Sequence, residues 1–200
     1  MRIGLNTVIQ TVSPGDLKVP KTTRPAIPVE TAAAVYFRDG WIWTLCHRPT
    51  IFHLAFKYTG QFVATRLPDV QLAYFHPNWR RDASPLLDEL GACVDHVHAY
   101  ARGGAHDPSN FATACGKCNT RKSAREKAKY LEANPPYRVR GKYGEPTRWD
   151  GLSSLFMVLA RESRELLTVT EKRWLHTLDA HLSGAVSERG STVTKNEKLT

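Results

Sequence analysis

The stretch from Cys93 to Lys122 constrains this chain more than any other, because it concentrates side chains that ligate metals and accept protons. In chain order, the residue types that matter are Asp95-His96, Gly103-Gly104, Asn110, Cys115, Cys118, Asn119 and Lys122. Carboxylate and amide oxygens suit hard divalent cations, whereas thiolates suit zinc. The stretch therefore predicts a fold that closes around a metal-binding or catalytic centre.

The first part of this stretch predicts a β-hairpin. Residues 92–97 form a short apolar run that Asp95 and His96 interrupt, and residues 110–115 form the return strand. The glycine pair between them permits positive φ, and Asp107 with the following proline turns the chain back. A regular strand directs neighbouring side chains to opposite faces, so a bend at His96, or an irregular loop beginning there, is needed to bring both residues to one metal.

The second part predicts a helix over residues 119–131, which ends before Pro135. This helix carries five basic residues against one glutamate. We expect it to lie beside a phosphate backbone, with Arg121, Lys122 and Arg125 as the contacts. No motif for reading base edges is visible, so a weak sequence preference is expected.

The order of these residues resembles the HNH nuclease family, which has an Asp-His pair, a glycine pair, a central asparagine, and then Cys-x-x-Cys-Asn-x-x-Lys. The intervals from His96 to Asn110 and from His96 to Asn119 are also similar to those of the family. The resemblance implies an α+β fold with a ββα-metal (HNH, His-Me finger) nuclease core. In such a core, two antiparallel strands and a helix pack around one metal ion.

The resemblance also implies roles for individual residues. His96 is expected to act as the general base, since imidazole titrates near neutral pH. Asp95 and Asn119 are expected to hold Mg²⁺ or a similar divalent ion that neutralises the scissile phosphate. Asn110, counted with the catalytic residues, is expected to brace the hairpin and orient His96 rather than to touch the substrate.

A structural zinc ion is a second metal that the resemblance implies, and here the sequence departs from the family. Where many HNH proteins have the first cysteine of an additional Cys-x-x-Cys, this chain has Trp43, and only Cys46 remains. Structural zinc takes four nitrogen or sulfur ligands. The three available thiols are those of Cys46, Cys115 and Cys118; the fourth ligand is left open among His47, His53, Cys93 and none of these.

Three other histidines have either an open interpretation or a purely structural one. Many family members have an aliphatic residue and a proline where this chain has His98 and Ala99. His98 is either an additional metal ligand or a partly exposed histidine. His106, in the predicted loop, is expected to be solvated, and His53 to be a packed or surface residue.

The charge of the chain favours a nucleic-acid partner. Its 200 residues carry a net charge of +9, and lysines and arginines that contact phosphates release condensed counterions. We therefore expect the protein to act on DNA, in double-stranded form, with no small-molecule substrate as a partner.

The sequence also predicts where the protein is found. Residues 1–11 lack the apolar core of a signal peptide, and no run has the length of a membrane span. We therefore expect a soluble, cytoplasmic protein that does not have a membrane as a partner. In a reducing compartment, four cysteines are expected to bind metal rather than to form disulfides.

The chain is expected to have four parts. They are an extended basic arm at 1–27, an HNH nuclease domain at 28–134 with its core at 92–131, a basic loop and C-terminal helices at 135–183, and a disordered tail at 184–200. The C-terminal helices are expected to form a hairpin that docks on the nuclease core, with a dimerisation face as the alternative.

Local signals outside the central stretch predict three helix starts. Pro28 suits the first turn of a helix over 28–38, and Ser84 with its following proline suits a capped helical turn. Thr168 and Glu171 have the spacing of a capping box. Residues 50–74 alternate loosely between apolar and polar side chains and suggest no chemistry.

Together these features predict a metal-dependent HNH endonuclease that hydrolyses DNA phosphodiester bonds. The alternative is a non-catalytic, zinc-stabilised module that binds nucleic acid. The two differ in whether Asp95, His96 and Asn119 converge on one site.

Overall fold

The computed structural model describes residues 24–70, 74–78, 80, 82–123, 125, 129 and 149–193. Within these residues the chain combines helices with a small two-stranded sheet, in agreement with the predicted α+β class. The helices are α1 (Val29–Arg38), α2 (His53–Arg66), α3 (Pro85–Leu90), α4 (Gly116–Lys122), α5 (Ser153–Glu162) and α6 (Val169–Val193). Most of the predicted basic arm and all of the predicted basic loop lie outside the described residues.

The predicted hairpin is present. Strands β1 (Ala92–His96) and β2 (Phe111–Cys115) pair antiparallel, with His96 opposite Phe111 at the loop end. In the loop, Gly103 has a φ of 87°, which a side chain would strain. A Cβ atom at Gly104 would overlap the backbone carbonyl of His98. The two glycines are therefore needed for different reasons, one for its backbone angle and one for a close approach.

Helix α4 (Gly116–Lys122) follows β2 without a loop. It begins three residues before the predicted helix, which started at Asn119, and it ends at Lys122. Ser123 has a φ of 51° and closes the helix. The prediction of one continuous helix over 119–131 is therefore wrong at Ser123, and most of its second half lies outside the described residues.

The C-terminal end of α1 fixes β2 in place. The Arg38 guanidinium donates hydrogen bonds to the carbonyl oxygens of Pro108, at 3.1 Å, and Phe111, at 2.6 Å. The Asp39 carboxylate accepts a hydrogen bond from the backbone N–H of Thr113 at 2.7 Å. These contacts satisfy polar groups on the open edge of β2.

Helices α1, α2, α5 and α6 surround the larger core, which we call the helical core. Its buried members include several large rings and aliphatic side chains, among them Tyr36, Trp41, Phe52, Phe156, Trp174 and Leu178. Within the loosely alternating stretch, residues 53–66 form α2, because burial of one of its faces outweighs a weak local signal. Ala92 of β1 belongs to the same cluster, so the hairpin is joined to the helical core at its base.

The capping box predicted at the start of α6 is confirmed. The backbone N–H of Thr168 donates to the Glu171 carboxylate at 2.8 Å, and the backbone N–H of Glu171 donates back to the Thr168 hydroxyl at 3.3 Å. The helix continues to Val193, well into the segment for which the sequence predicted a disordered tail. The domain limits stay predictions. None of the described helices has both the length and the apolar character that crossing a membrane requires.

Candidate active site

Three of the predicted site residues meet at one cleft. Asp95 and His96 end β1, Asn119 lies on α4, and all three line a cavity of about 430 Å³. Lys122 shares this lining, and so does Arg24, which belongs to the segment before α1. A carboxylate, an imidazole and a carboxamide from separate elements therefore face a common space. Asp95 and His96 are the last two residues of β1, and the loop begins directly after His96.

Asp95 is held by a buried lysine. The Lys122 ammonium lies 3.0 Å and 3.2 Å from the two carboxylate oxygens of Asp95, and it donates a third bond of 2.8 Å to the backbone carbonyl of His96. The lysine side chain is 1% exposed. Burial raises the pKa of the Asp95 carboxyl, and the Lys122 charge opposes that rise. This placement disagrees with the predicted phosphate contact at Lys122, since its ammonium is already enclosed by protein acceptors.

His96 is enclosed by aromatic rings and by a second histidine. Its Nε2 lies 3.3 Å from Nδ1 of His106, and its ring packs edge-on against Phe111. Burial, assisted by the charges of Arg24 and Lys122, lowers the pKa of His96 to about 4. At neutral pH the ring is therefore uncharged and able to accept a proton. The prediction that His106 is merely solvated is wrong, because it is a hydrogen-bonding partner of His96.

Asn110 makes three hydrogen bonds inside the hairpin. Its carboxamide oxygen accepts from the backbone N–H of His98 at 2.8 Å, and its amide nitrogen donates to the carbonyls of His98 and Ala105 at 2.9 Å and 2.8 Å. These are the contacts expected of a brace rather than of a substrate ligand. The His98 side chain is exposed, and His98 is not among the residues that line the cleft.

Asn119 is oriented by a thiol. Its amide nitrogen donates to the Cys93 sulfur at 3.5 Å. Burial, and after it the charge of Asp95, raises the pKa of the Cys93 thiol to about 12, so the sulfur keeps its proton at neutral pH. Because the nitrogen faces Cys93, the carboxamide oxygen of Asn119 is the atom left to coordinate a cation.

The donor atoms at this cleft fit a hard divalent ion. Asp95 offers carboxylate oxygens and Asn119 offers an amide oxygen, and two protein ligands leave positions for water and phosphate. A carboxylate has more lone pairs than the two that the Lys122 ammonium uses. The side chains can therefore hold Mg²⁺ or a similar ion, although Asp95 would share its charge between that ion and Lys122.

A second group of side chains fits a softer metal. The sulfur atoms of Cys46, Cys115 and Cys118 all lie within 4.8 Å of one another. We call these residues the cysteine cluster. Among the described residues, no further His, Cys, Asp or Glu joins it. Trp43, which stands in place of the missing cysteine, is fully buried against this cluster together with Leu45.

None of the candidates for a fourth zinc ligand joins the cysteine cluster, although Cys93 packs beside it. His53 packs in the helical core, with its ring 4.9 Å from that of Phe52, as expected for a packed histidine. Cys93 receives the hydrogen bond from Asn119. His47 has an exposed side chain and a φ of 54°. Three thiols can hold a metal ion, and the described residues do not identify a fourth protein ligand.

The basic residues predicted to contact nucleic acid separate into two kinds. Arg121 and Arg125 are exposed and are not among the residues that line the cleft, and the Arg125 guanidinium donates to the Arg121 carbonyl at 3.1 Å. Lys122, between them in sequence, points inward. Arg24 is exposed and lines the cleft itself, although the sequence singled out only the basic character of its segment. No local pattern marks Arg24 or His106, because tertiary packing brings Arg24 to the cleft and His106 to the His96 ring.

Comparison with known proteins agrees with this geometry. Residues 86–125 match the family model described as HNH endonuclease, which confirms the resemblance seen in the sequence. That range includes β1, β2 and α4, and with them Asp95, His96, Asn110 and Asn119. No curated protein and no solved structure matches the chain. HNH domains bind metal and act on nucleic acids, so the match indicates a nuclease or another nucleic-acid-related function.

Proposed function

We propose, taking the HNH endonuclease match as the premise, that this chain is a metal-dependent endonuclease that hydrolyses DNA phosphodiester bonds. The observation that carries the proposal is the meeting of Asp95, His96 and Asn119 at one cleft. A phosphodiester reaction needs a base for the attacking water, a cation for the phosphate, and room for both. The cleft has side chains for each task and a volume of about 430 Å³.

His96 is the general base in this proposal. Its low pKa keeps the ring neutral at physiological pH, which a base must be before it takes a proton. In the tautomer in which Nε2 carries the ring hydrogen and donates it to His106, Nδ1 is the nitrogen that accepts the proton from water. Packing against Phe111 and the brace at Asn110 limit motion of the ring and of the loop that follows it.

Asp95 and Asn119 are the proposed ligands of the catalytic ion. When bound, a divalent ion stabilises negative charge on the phosphate and on the departing oxygen. Burial of Asp95 and the contact between Asn119 and Cys93 hold the two ligand groups in fixed orientations. The cysteine cluster is proposed to bind a structural zinc ion, which would join β2 and α4 to the segment that contains Cys46.

DNA is the proposed substrate, with exposed arginines as the contacts to its phosphates. Arg24 at the cleft is suited to the scissile phosphate, and Arg121 and Arg125 are suited to flanking ones. The net charge of +9 supports attraction of a polyanion. Contacts of this kind position the backbone without reading bases, so cleavage with little sequence preference is expected.

The proposal is tested by plasmid cleavage with Mg²⁺ or Mn²⁺ and the variant His96→Ala. Loss of a positioned general base lowers the rate by at least about 100-fold. His176→Ala is the matched control, because His176 is exposed on α6, away from the cleft. Equal nicking by the purified His96→Ala variant and the unmodified protein would remove His96 from the reaction.

One observation favours the alternative of a non-catalytic nucleic-acid-binding module. Lys122 already neutralises Asp95 with an internal cation, so the carboxylate needs no metal to be stable in the fold. This alternative expects DNA binding without cleavage in any divalent metal. Elemental analysis together with plasmid cleavage separates the two functions, since one bound zinc ion without metal-stimulated cleavage supports the module.

A further inference from the structure

Lys122 carries an unusual combination of burial and contacts. Its ammonium is fully enclosed, yet all three of its hydrogen bonds go to the two residues that end β1: two to the Asp95 carboxylate and one to the His96 carbonyl. It is the last residue of α4 and lies one turn beyond Asn119 on the same face. The lysine therefore joins the strand with one proposed metal ligand to the helix with the other.

The position of Lys122 changes the charge that a metal would meet. Among the described residues lining the cleft, Asp95 is the one acid, whereas Lys122 and Arg24 are cations. Asn119 contributes an uncharged carboxamide. Divalent ions bind more tightly to sites with more anionic ligands. A cleft with more positive than negative charge offers little attraction to a free divalent ion.

A bound phosphodiester supplies the negative charge that the cleft lacks. Each phosphate brings one negative charge and oxygens that are themselves good ligands, and Mg²⁺ is commonly bound through one or two carboxylates together with substrate phosphates. Arg24 gives the phosphate its own partner at the cleft. Metal and phosphate can therefore each lower the cost of binding the other.

We propose that Lys122 makes metal binding at Asp95 and Asn119 conditional on nucleic acid, so that the divalent ion and the phosphate backbone load together. This inference rests on the proposed function, because it uses the same two metal ligands. Its consequence is a protein that holds little catalytic metal when it is free and acquires it on DNA. Coupling of this kind is reciprocal, so the metal must raise the affinity for DNA by the same factor.

The first test measures that reciprocity in the full chain with His96→Ala, which prevents cleavage. Binding of a short fluorescent DNA duplex is followed by anisotropy with and without Mn²⁺ at constant ionic strength. A gain in DNA affinity of about 5- to 150-fold is expected, the usual range for coupled sites. The same titration with Asp95→Asn added gives the contribution of Mn²⁺ bound by the DNA alone. An equal gain in both proteins overturns the proposal.

The second test changes the lysine. Lys122→Met removes the charge and keeps the length of the side chain, so Mn²⁺ binding without DNA, measured by calorimetry at pH 8, is expected to tighten by at least about tenfold. Lys117→Met is the matched control: Lys117 is on the same helix but pairs with Glu89, and its loss is expected to leave Mn²⁺ affinity unchanged. Unchanged or weaker Mn²⁺ binding by folded Lys122→Met means that the lysine is only a structural clamp.

These readouts do not depend on catalysis. If the plasmid is cleaved and His96→Ala is inactive, but Mn²⁺ binds equally well with and without DNA, the proposed function stands and the role of Lys122 is overturned. If Lys122→Met does not fold, the anisotropy test with an intact Lys122 still decides whether the ion and DNA load together, and an equal gain in both proteins still overturns the proposal.

Discussion

The helical core buries mainly aromatic and aliphatic side chains, whereas the cleft between the hairpin and α4 also buries both members of an ion pair, Asp95 and Lys122. In the helical core, Phe52 packs against Phe156 and Trp174 at ring distances of 5.1 Å and 4.9 Å. At the cleft, the buried side chains include Asp95 and Lys122. The first arrangement gains stability from apolar burial, and the second depends on each polar group keeping its partner.

The difference shows which part of the fold supplies stability and which part holds charged side chains in a fixed geometry. A buried ion pair adds little net stability but is costly to break, so it sets a geometry more than it strengthens a fold. The helical core can supply the stability that the cleft lacks, because Ala92 at the start of β1 packs into it. The predictions below are ordered by expected effect, and each tests this division.

The largest effect is expected in the helical core. Trp174→Ala removes a ring that is 7% exposed and touches both Phe52 and Tyr36, and it should lower the free energy of unfolding by about 4 kcal/mol. Urea denaturation measures the change. Val169→Ala, at an exposed position on the same helix, is the control and should change stability by less than about 0.5 kcal/mol. A loss below about 1 kcal/mol for Trp174→Ala would contradict the assignment of this core.

A slightly smaller effect is expected at the ion pair of the cleft. Asp95→Ala leaves the Lys122 charge buried without its carboxylate, which should cost about 3 kcal/mol in the free energy of unfolding. The double variant Asp95→Asn with Lys122→Met removes both charges and should recover most of that loss. If the double variant is no more stable than Asp95→Ala, the unpaired buried charge of Lys122 is not the cause of the lost stability.

The smallest effect is a pH dependence of the free energy of unfolding that arises from His53 in the helical core. Burial lowers the pKa of His53 from 6.5 to about 4, against the nearby charge of Glu171, which favours the protonated form. Between those two values the unfolded chain binds more protons than the folded one, so the free energy of unfolding falls as the pH is lowered through this window. From pH 7 to pH 5 the loss from His53 is about 2 kcal/mol.

His53→Phe keeps an aromatic ring in the helical core and should remove that share of the pH dependence. Chemical denaturation at the two pH values measures it. The dependence that remains in the variant is expected to come in part from His96, whose pKa is lowered in the same direction. An identical loss of stability in His53→Phe and the unmodified protein would show that His53 is not the group that titrates.

Some of the fold and of the candidate site could be predicted because the signals are local. The strands and turn of the hairpin follow from a short apolar run, a glycine pair and an Asp-Pro turn, and both strand limits agree within one residue. The capping box at Thr168 is likewise a local signal, because it depends on four consecutive residues. Helix α2 was not predicted, since its packing against α5 rather than its own periodicity stabilises it.

The sequence alone determined which chemical groups are present and in what order: an acid beside an imidazole, a bracing asparagine, thiols at short spacing, and a basic surface. These follow from residue type and from turns a few residues long. Only the tertiary structure decided the partners of those groups. In the folded chain, Lys122 points inward and pairs with Asp95, His106 contacts His96, and Arg24 lies at the cleft. Such contacts join distant parts of the chain, and they depend on packing that no local pattern specifies.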